Sequence, residues 1–237
     1  MIAYKILKIL AGSIVNFIYK PTVIGLENIP KEGPAILASN HLSVVDSLFL
    51  PLAVDRQIVF IGKSDYFTGK SLKGRIIASF MKSMGVIPVD RSGGKGQSAL
   101  DKALERLESG ELFGIYPEGT RSPNGKLYKG KVGVAKLALQ SGAPIIPVAM
   151  VGTDIAQPIG KKLPLRGVPI QTRIGKAIDI SKYENITDKH ELYRTITDEL
   201  MRQIQKMSGQ DYVDKYAADV KKDLAKKGLF DGPIPNG

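Results

Sequence analysis

Cysteine is missing from all 237 residues. Its absence excludes disulfides, a thiol nucleophile, thiolate zinc sites and cysteine-bound iron–sulfur clusters together. It also fits a reducing compartment. Histidine is nearly as scarce. His41 and His190 are the only two, too few for a multi-histidine metal site. The amino terminus lacks a long apolar run: its longest uncharged stretch, Ile9 to Tyr19, has eleven residues, about half of what a transmembrane helix requires. No small-residue cleavage site follows it, so a signal peptide fits poorly. Acidic residues are in deficit, 23 against 34 Lys and Arg, for a net charge of +11 and a pI near 9.6. Such a balance favours anionic partners: nucleic acid, anionic lipid headgroups or phosphorylated substrates. Nucleic acid is the weakest of these. The lysine pairs at 161–162, 221–222 and 226–227 read as solvated charge, and no zinc-finger spacing or aromatic RNA-binding signature accompanies them.

The remaining composition is that of an ordinary globular chain, 43% hydrophobic and 24% charged. Residues 1–20 predict a helix with Lys5, Lys8, Gly12, Asn16 and Lys20 on one narrow stripe and Ile, Leu, Val, Phe and Tyr elsewhere. That pattern is expected of an amphipathic helix lying in a membrane interface with its lysines at headgroup level. Beyond it, apolar strand-like runs at 21–26, 35–40, 57–62, 85–89, 112–116, 144–151 and 168–174 alternate with helical patterns at 46–53, 72–84, 98–108 and 132–140. Two late helices are expected at 188–207 and 211–226. Alternation of this kind predicts an α/β fold: a single domain with a mostly parallel or mixed central sheet flanked by helices. The expected division is an interface helix over 1–20, one domain over 21–227 and a frayed tail over 228–237.

Several motifs fail on inspection. Gly69-Lys70-Ser71 resembles the end of a phosphate-binding loop, but that pattern needs glycine where Ser64 stands. The glycines at 93–96 lack dinucleotide-binding spacing. No G-x-S-x-G occurs, which argues against a serine nucleophile on an elbow.

Four strand ends carry the remaining chemistry. His41 follows the run at 35–40, and Asp46 stands five residues later. Residues five apart on a helix diverge by about 140°. The two therefore meet only if His41 precedes the helix and Asp46 lies in its first turn. A carboxylate on one ring nitrogen fixes the tautomer and leaves the other nitrogen as a general base; a histidine that merely caps the helix is the alternative. Residues 116–122, Tyr-Pro-Glu-Gly-Thr-Arg-Ser, follow another strand. Gly119 permits close backbone approach, Thr120 and Ser122 offer hydroxyls, and Arg121 offers a fork suited to phosphate. Arg91 and Lys63 follow two further strands. Jointly these residues predict one cleft that binds an anion beside a general base.

These segments, in this order, resemble the glycerolipid acyltransferases of the PlsC type. Asn40-His41 through Asp46 is similar to that family's NHxxxxD motif, and residues 85–91, GVIPVDR, resemble its second motif with Ile87-Pro88 where Phe-Ile or Phe-Val is common. Residues 116–122 resemble its FPEGTRS motif with Tyr116 for Phe, and residues 145–148 its proline-containing apolar strand. The resemblance spans roughly residues 20–180 and leaves 181–237 without a signature. It implies that His41 deprotonates the sn-2 hydroxyl of lysophosphatidate for attack on an acyl thioester, with Asp46 orienting the ring. It further implies that Arg91, Glu118, Gly119, Thr120 and Arg121 hold the glycerol phosphate, with Lys63 assisting. Glu118 is expected to accept bonds from a glycerol hydroxyl or to position a cation. No metal or cofactor is implied; the donor is acyl-CoA or acyl carrier protein, a co-substrate. The expected partner surface is membrane phospholipid, on the cytoplasmic face of the cell membrane, with peripheral attachment. The alternatives are acylation of glycerol 3-phosphate or another lysophospholipid, a thioester hydrolase, and a non-catalytic protein that binds anionic lipid.

Overall fold

The computed structural model describes residues 2–63, 67, 74–75, 78–79, 81, 85–89, 96–161, 164–230 and 232. Its centre is a seven-stranded sheet. The strands in chain order are β1 (Thr22–Ile24), β2 (Ala35–Ser39), β3 (Ile58–Lys63), β4 (Val86–Val89), β5 (Leu112–Ile115), β7 (Ile145–Val151) and β8 (Gln171–Ile174). Across the sheet they run β1-β8-β7-β2-β5-β3-β4. All neighbours are parallel except β7 and β8, which pair antiparallel. The sheet is therefore mixed and mostly parallel, as expected. β2 lies at its centre and is buried along its whole length, which is why it reads as an uninterrupted apolar run rather than an alternating one.

Two hydrophobic layers sandwich the sheet. On one face Ile36 and Ala38 of β2, Phe113 of β5 and Ile145 of β7 pack against three helices: α3 (Gly96–Glu108), α4 (Gly133–Ser141) and α6 (Lys189–Ser208). On the other, Ala35, Leu37, Leu112 and Ile146 pack against α2 (Asp46–Ala53) and reach Val15 of α1 (Ile2–Tyr19). The alternation of partners along β2 is the period-two geometry of a strand. Every forward-running strand, β2, β3, β4, β5 and β7, ends at the same sheet edge, where open α/β sheets present their sites.

Helix starts follow local chemistry. Asp188 caps α6 by accepting from the Glu191 N–H at 2.7 Å, the expected bond of an N-cap aspartate. The segment at 211–226 departs from the uniform helix expected there. Tyr212–Val213 form β9, pairing with the two-residue β6 (Leu127–Tyr128), and only Ala217–Lys226 form a helix, α7. The Tyr-Val pair favours extended backbone, and it satisfies groups just past the 116–122 loop: the Leu127 N–H donates to the Asp211 carbonyl at 2.9 Å. A short helix, α5 (Thr153–Ala156), was not anticipated. The helix expected at 72–84 and the tail beyond 230 lie largely outside the described residues.

Helix α1 forms, with an orientation that the stripe of lysines did not suggest. Gly12 faces Leu52 of α2, Tyr19 meets Phe49 edge-on at 5.5 Å, and the Lys8 ammonium donates to the Val54 carbonyl. Burial lowers the Lys8 pKa from its ordinary value. Lys8 thus turns toward the protein, where its stem and ammonium find a carbonyl, while Phe17 is left 86% exposed with Ile9 and Ile14 beside it. No described helix is long and apolar enough to cross a membrane.

Candidate active site

The site begins where β2 ends. Asn40 leaves the strand fully buried and ties the turn to β7: its amide oxygen accepts from the Met150 N–H at 2.7 Å, and its amide nitrogen donates to the Met150 carbonyl at 3.0 Å. A second bond from that nitrogen reaches the Gln210 side chain at 2.7 Å. His41 comes next, ahead of α2, and Asp46 is the first residue of α2. One carboxylate oxygen of Asp46, Oδ2, collects three donors: His41 Nδ1 at 2.9 Å, the Leu42 N–H at 2.7 Å and the Ser43 N–H at 2.8 Å. Asp46 is wholly buried, and its Oδ1 has no hydrogen-bond partner among the described residues. The pair meets in the arrangement expected from the sequence, with a folded turn between its members. Because Nδ1 is bound, Nε2 is the ring nitrogen that remains to exchange a proton. The imidazole keeps 16% exposure.

The next strand supplies the floor. After β5, residues Tyr116 to Gly119 close a turn in which the Gly119 N–H donates to the Tyr116 carbonyl at 2.9 Å; Pro117 at its second position and Gly119 at its fourth suit that turn. Gly119 has φ +73°, and the Lys131 side chain lies across it, so an added Cβ would sit 3.1 Å from Lys131 Cε. The Tyr116 ring stacks on the His41 ring, centroids 3.9 Å apart and planes 12° apart. Phe60 of β3 stacks behind it at 5.9 Å. Burial raises the Tyr116 phenol, helped by the nearby Asp46 charge.

Glu118 departs from the substrate contact expected of it in one respect: it is buried, and both its oxygens are taken by backbone. Oε1 accepts from the His41 N–H at 3.0 Å and Oε2 from the Tyr128 N–H at 3.0 Å. Burial pushes its carboxyl up to about 8, while those two N–H groups and the Lys221 charge pull the other way. The Ser122 N–H completes the connection by donating to the His41 carbonyl at 2.7 Å. The 116–122 loop therefore grips His41 through its ring, its amide and its carbonyl. Arg121 makes no hydrogen bond or ion pair among the described residues. Lys63 ends β3 and pairs in register with Val89, the last residue of β4, so the backbone at Lys63 lies on this edge. The side chains of Lys63 and Arg91 lie outside the described residues. His190 is exposed on α6.

Lys221 is the residue that the sequence reading missed. The doubled lysine at 221–222 predicts a solvated pair, yet Lys221 is 1% exposed. Its ammonium donates to Thr120 Oγ1 at 2.8 Å and lies 5.4 Å from the Phe230 ring centroid. Burial first, and then the Arg121 charge, lower its pKa to about 8 against the pull of Glu118. A signal for it existed. Ala217, Val220, Lys221 and Leu224 fall on one side of α7 at helical spacing, and a lysine in an apolar stripe calls for a partner. Gln210 was missed as well. It joins Asn40 to the Gly125 carbonyl at 2.6 Å, a link that spans chain distances no local pattern reports.

Comparison with known proteins agrees with this geometry. The family model described as Acyltransferase matches residues 20–151, more than half of the chain. The chain is 31% identical over 186 residues to the chloroplastic 1-acyl-sn-glycerol-3-phosphate acyltransferase BAT2 of Brassica napus, which covers 78% of this chain and 52% of the plant protein. It is 27% identical to the 1-acyl-sn-glycerol-3-phosphate acyltransferase of Bacillus subtilis, over 78% of this chain and 86% of that one. The chain spans about half the length of the plant relatives it matches. Among solved structures, the 1-acyl-sn-glycerophosphate acyltransferase PlsC of Thermotoga maritima aligns at a TM-score of 0.64 and 25% identity, over 86% of this chain and 79% of that one. With the family model matching more than half of its length, the chain belongs to the acyltransferase family.

Proposed function

We propose that the protein transfers an acyl chain from an acyl thioester to the sn-2 hydroxyl of 1-acyl-sn-glycerol 3-phosphate, forming phosphatidate. The observation that carries the reading is the His41–Asp46 pair beside a loop whose Arg121 has no hydrogen-bond or ion-pair partner among the described residues. His41 Nε2 takes the hydroxyl proton as the oxygen attacks the thioester carbonyl and the new C–O bond forms. The tetrahedral intermediate then expels sulfur, the C–S bond breaks, and the imidazolium returns its proton to the departing thiolate. Asp46 holds the ring through Nδ1 and balances the charge that develops on it. Glu118 acts as a positioning residue, since its oxygens hold the His41 and Tyr128 backbone. Gly119, Thr120 and Arg121 receive the glycerol phosphate, with Arg91 and Lys63 completing the cationic rim from the adjoining strand ends. The donor thioester is a co-substrate on coenzyme A or acyl carrier protein, and the net charge of +11 favours an acidic carrier. Peripheral attachment to the cytoplasmic face of the membrane, through the exposed Ile9, Ile14 and Phe17 of α1, suits a lipid acceptor.

The test is direct. Purified protein is incubated in detergent with oleoyl-coenzyme A or oleoyl-acyl carrier protein and 1-oleoyl lysophosphatidate, and phosphatidate is followed by mass spectrometry. The native chain should form it, and His41→Ala should lose about 10²–10⁴-fold in rate. Product made equally by His41→Ala refutes the base. Product formed from glycerol 3-phosphate alone would reassign the acceptor.

A further inference from the structure

Burying an ammonium is unfavourable unless it is well bonded. Lys221 is 1% exposed, and among the described residues its one hydrogen-bond acceptor is Thr120 Oγ1, which leaves two of its three N–H donors without one. A methionine or leucine would fill the same apolar stripe of α7 without that cost. The one group it bonds stands next to Arg121, whose guanidinium has no hydrogen-bond or ion-pair partner among the described residues. Two cations thus converge on one loop, where the Arg121 charge disfavours the charged form of Lys221, and the loop lies against His41 through Glu118 and Ser122. Glu118 offsets this charge in part, but both its oxygens are taken by backbone N–H groups, and among the described residues no carboxylate bonds either cation; an arriving anion relieves such an arrangement.

We infer that Lys221, carried by a helix beyond the matched family region, is a positioning residue of the acceptor's phosphate site: it holds Thr120 and so fixes the Gly119–Arg121 loop in the pose that receives the anion. The inference rests on the function proposed above only in naming the phosphate as part of a lipid acceptor. Lys221 itself is covered, so it acts through Thr120 and adds its charge beneath the loop. Such a residue sharpens acceptor binding and leaves the proton transfer at His41 alone.

The experiment compares Lys221→Met, Lys221→Arg and the exposed neighbour Lys222→Met with the native chain. Acceptor KM, donor KM and kcat are measured, together with calorimetric binding of sn-glycerol 3-phosphate, which needs no turnover. Lys221→Met should raise acceptor KM and weaken phosphate binding about tenfold or more, the order expected for loss of a charge-assisted contact. Its kcat and donor KM should stay within about threefold of native. Lys221→Arg should recover part of the binding, and Lys222→Met should match the native chain. Thr120→Val supplies a second route if Lys221→Met does not fold: it should weaken phosphate binding similarly with its melting temperature retained. In the double variant the two losses should not add, because both remove one bond. Unchanged phosphate binding in Lys221→Met or Thr120→Val overturns the inference, as does a fall in kcat and melting temperature with acceptor KM unmoved. A native chain that binds the phosphate yet makes no phosphatidate leaves the Lys221 assignment standing and refutes the proposed reaction. A native chain that makes phosphatidate yet does not bind the free phosphate overturns the Lys221 assignment and leaves the proposed reaction standing.

Discussion

Replacing Asp46 by asparagine separates what its charge does from what its shape does. All three donors converge on Oδ2, so a carbonyl oxygen in the same place can accept from all three. A hydrogen bond to a charged group contributes about 1.5–3 kcal/mol and a neutral one about 0.5–1.5 kcal/mol. Loss of charge therefore costs roughly 1 kcal/mol per bond, or about 3 kcal/mol in all. The new amide nitrogen would take the position of Oδ1, which has no partner among the described residues. Asp46→Asn should thus fold with a lowered urea midpoint. Asp46→Ala, which leaves the Leu42 and Ser43 N–H groups bare, should be worse. The rate should respond more strongly than stability. With its carboxylate gone, the ring must gain a proton beside a neutral group, and most of the general-base advantage goes with it: about 10²–10⁴-fold in kcat, or about 3–5 kcal/mol. The decisive assay adds His41→Ala. Asp46 acts through the ring, so the double variant should be no slower than His41→Ala alone. An Asp46→Asn enzyme within threefold of native kcat, or a double variant slowed by the product of the two single losses, would refute the pairing.

Three further outcomes follow from the same geometry. Tyr116→Phe keeps the ring stacked on His41 and loses only the bond between its hydroxyl and Ser47 Oγ, so kcat should hold within about threefold; Tyr116→Ala removes the floor and should cost about tenfold or more, an aromatic contact of this kind being worth about 0.5–1.5 kcal/mol beyond its buried area. The Glu118 carboxyl, raised to about 8 by burial, binds its proton more tightly folded than unfolded between the ordinary 4.5 and 8; the difference in unfolding free energy between the native chain and Glu118→Gln, read from urea midpoints, should therefore shrink as pH rises through that window. Phe17→Glu, at an 86% exposed position on α1, should reduce sedimentation with anionic liposomes about tenfold or more, since burying a phenyl ring is worth about 1.5–3 kcal/mol, while detergent-solubilised kcat stays native; unchanged sedimentation would remove α1 from the membrane contact.

The His41–Asp46 turn was legible because its determinants are local. A strand ending at Ser39 and a helix starting at Asp46 leave His41 little choice but to face the carboxylate. The parallel strands were legible for a similar reason, as buried runs leave an apolar signature with no polar face. Lys221 and Gln210 were not, because each reaches a partner across a large chain separation: 101 residues to Thr120 and 170 to Asn40. Periodicity identifies a stripe and says nothing about what it meets. The same limit explains α1. Its polar stripe was legible and the direction of that stripe was not, since a buried carbonyl at Val54 can satisfy a lysine as water does. Glu118 belongs with these. A glutamate in the 116–122 loop reads as a ligand until the backbone amides on both its oxygens are seen.

One missing side chain sets the attitude of the reacting ring. Gly114 in β5 leaves the room that Phe60 fills: a Cβ there would fall 2.2 Å from the Phe60 ring. Phe60 in turn backs Tyr116, and Tyr116 lies flat on His41. The imidazole plane is therefore set from the sheet through a column of three rings, in addition to the bond that Asp46 makes to Nδ1. Softening of the surrounding loops with temperature should leave the tilt of the ring nearly constant, whereas a single methyl group inserted at the base of the column would be felt at its top.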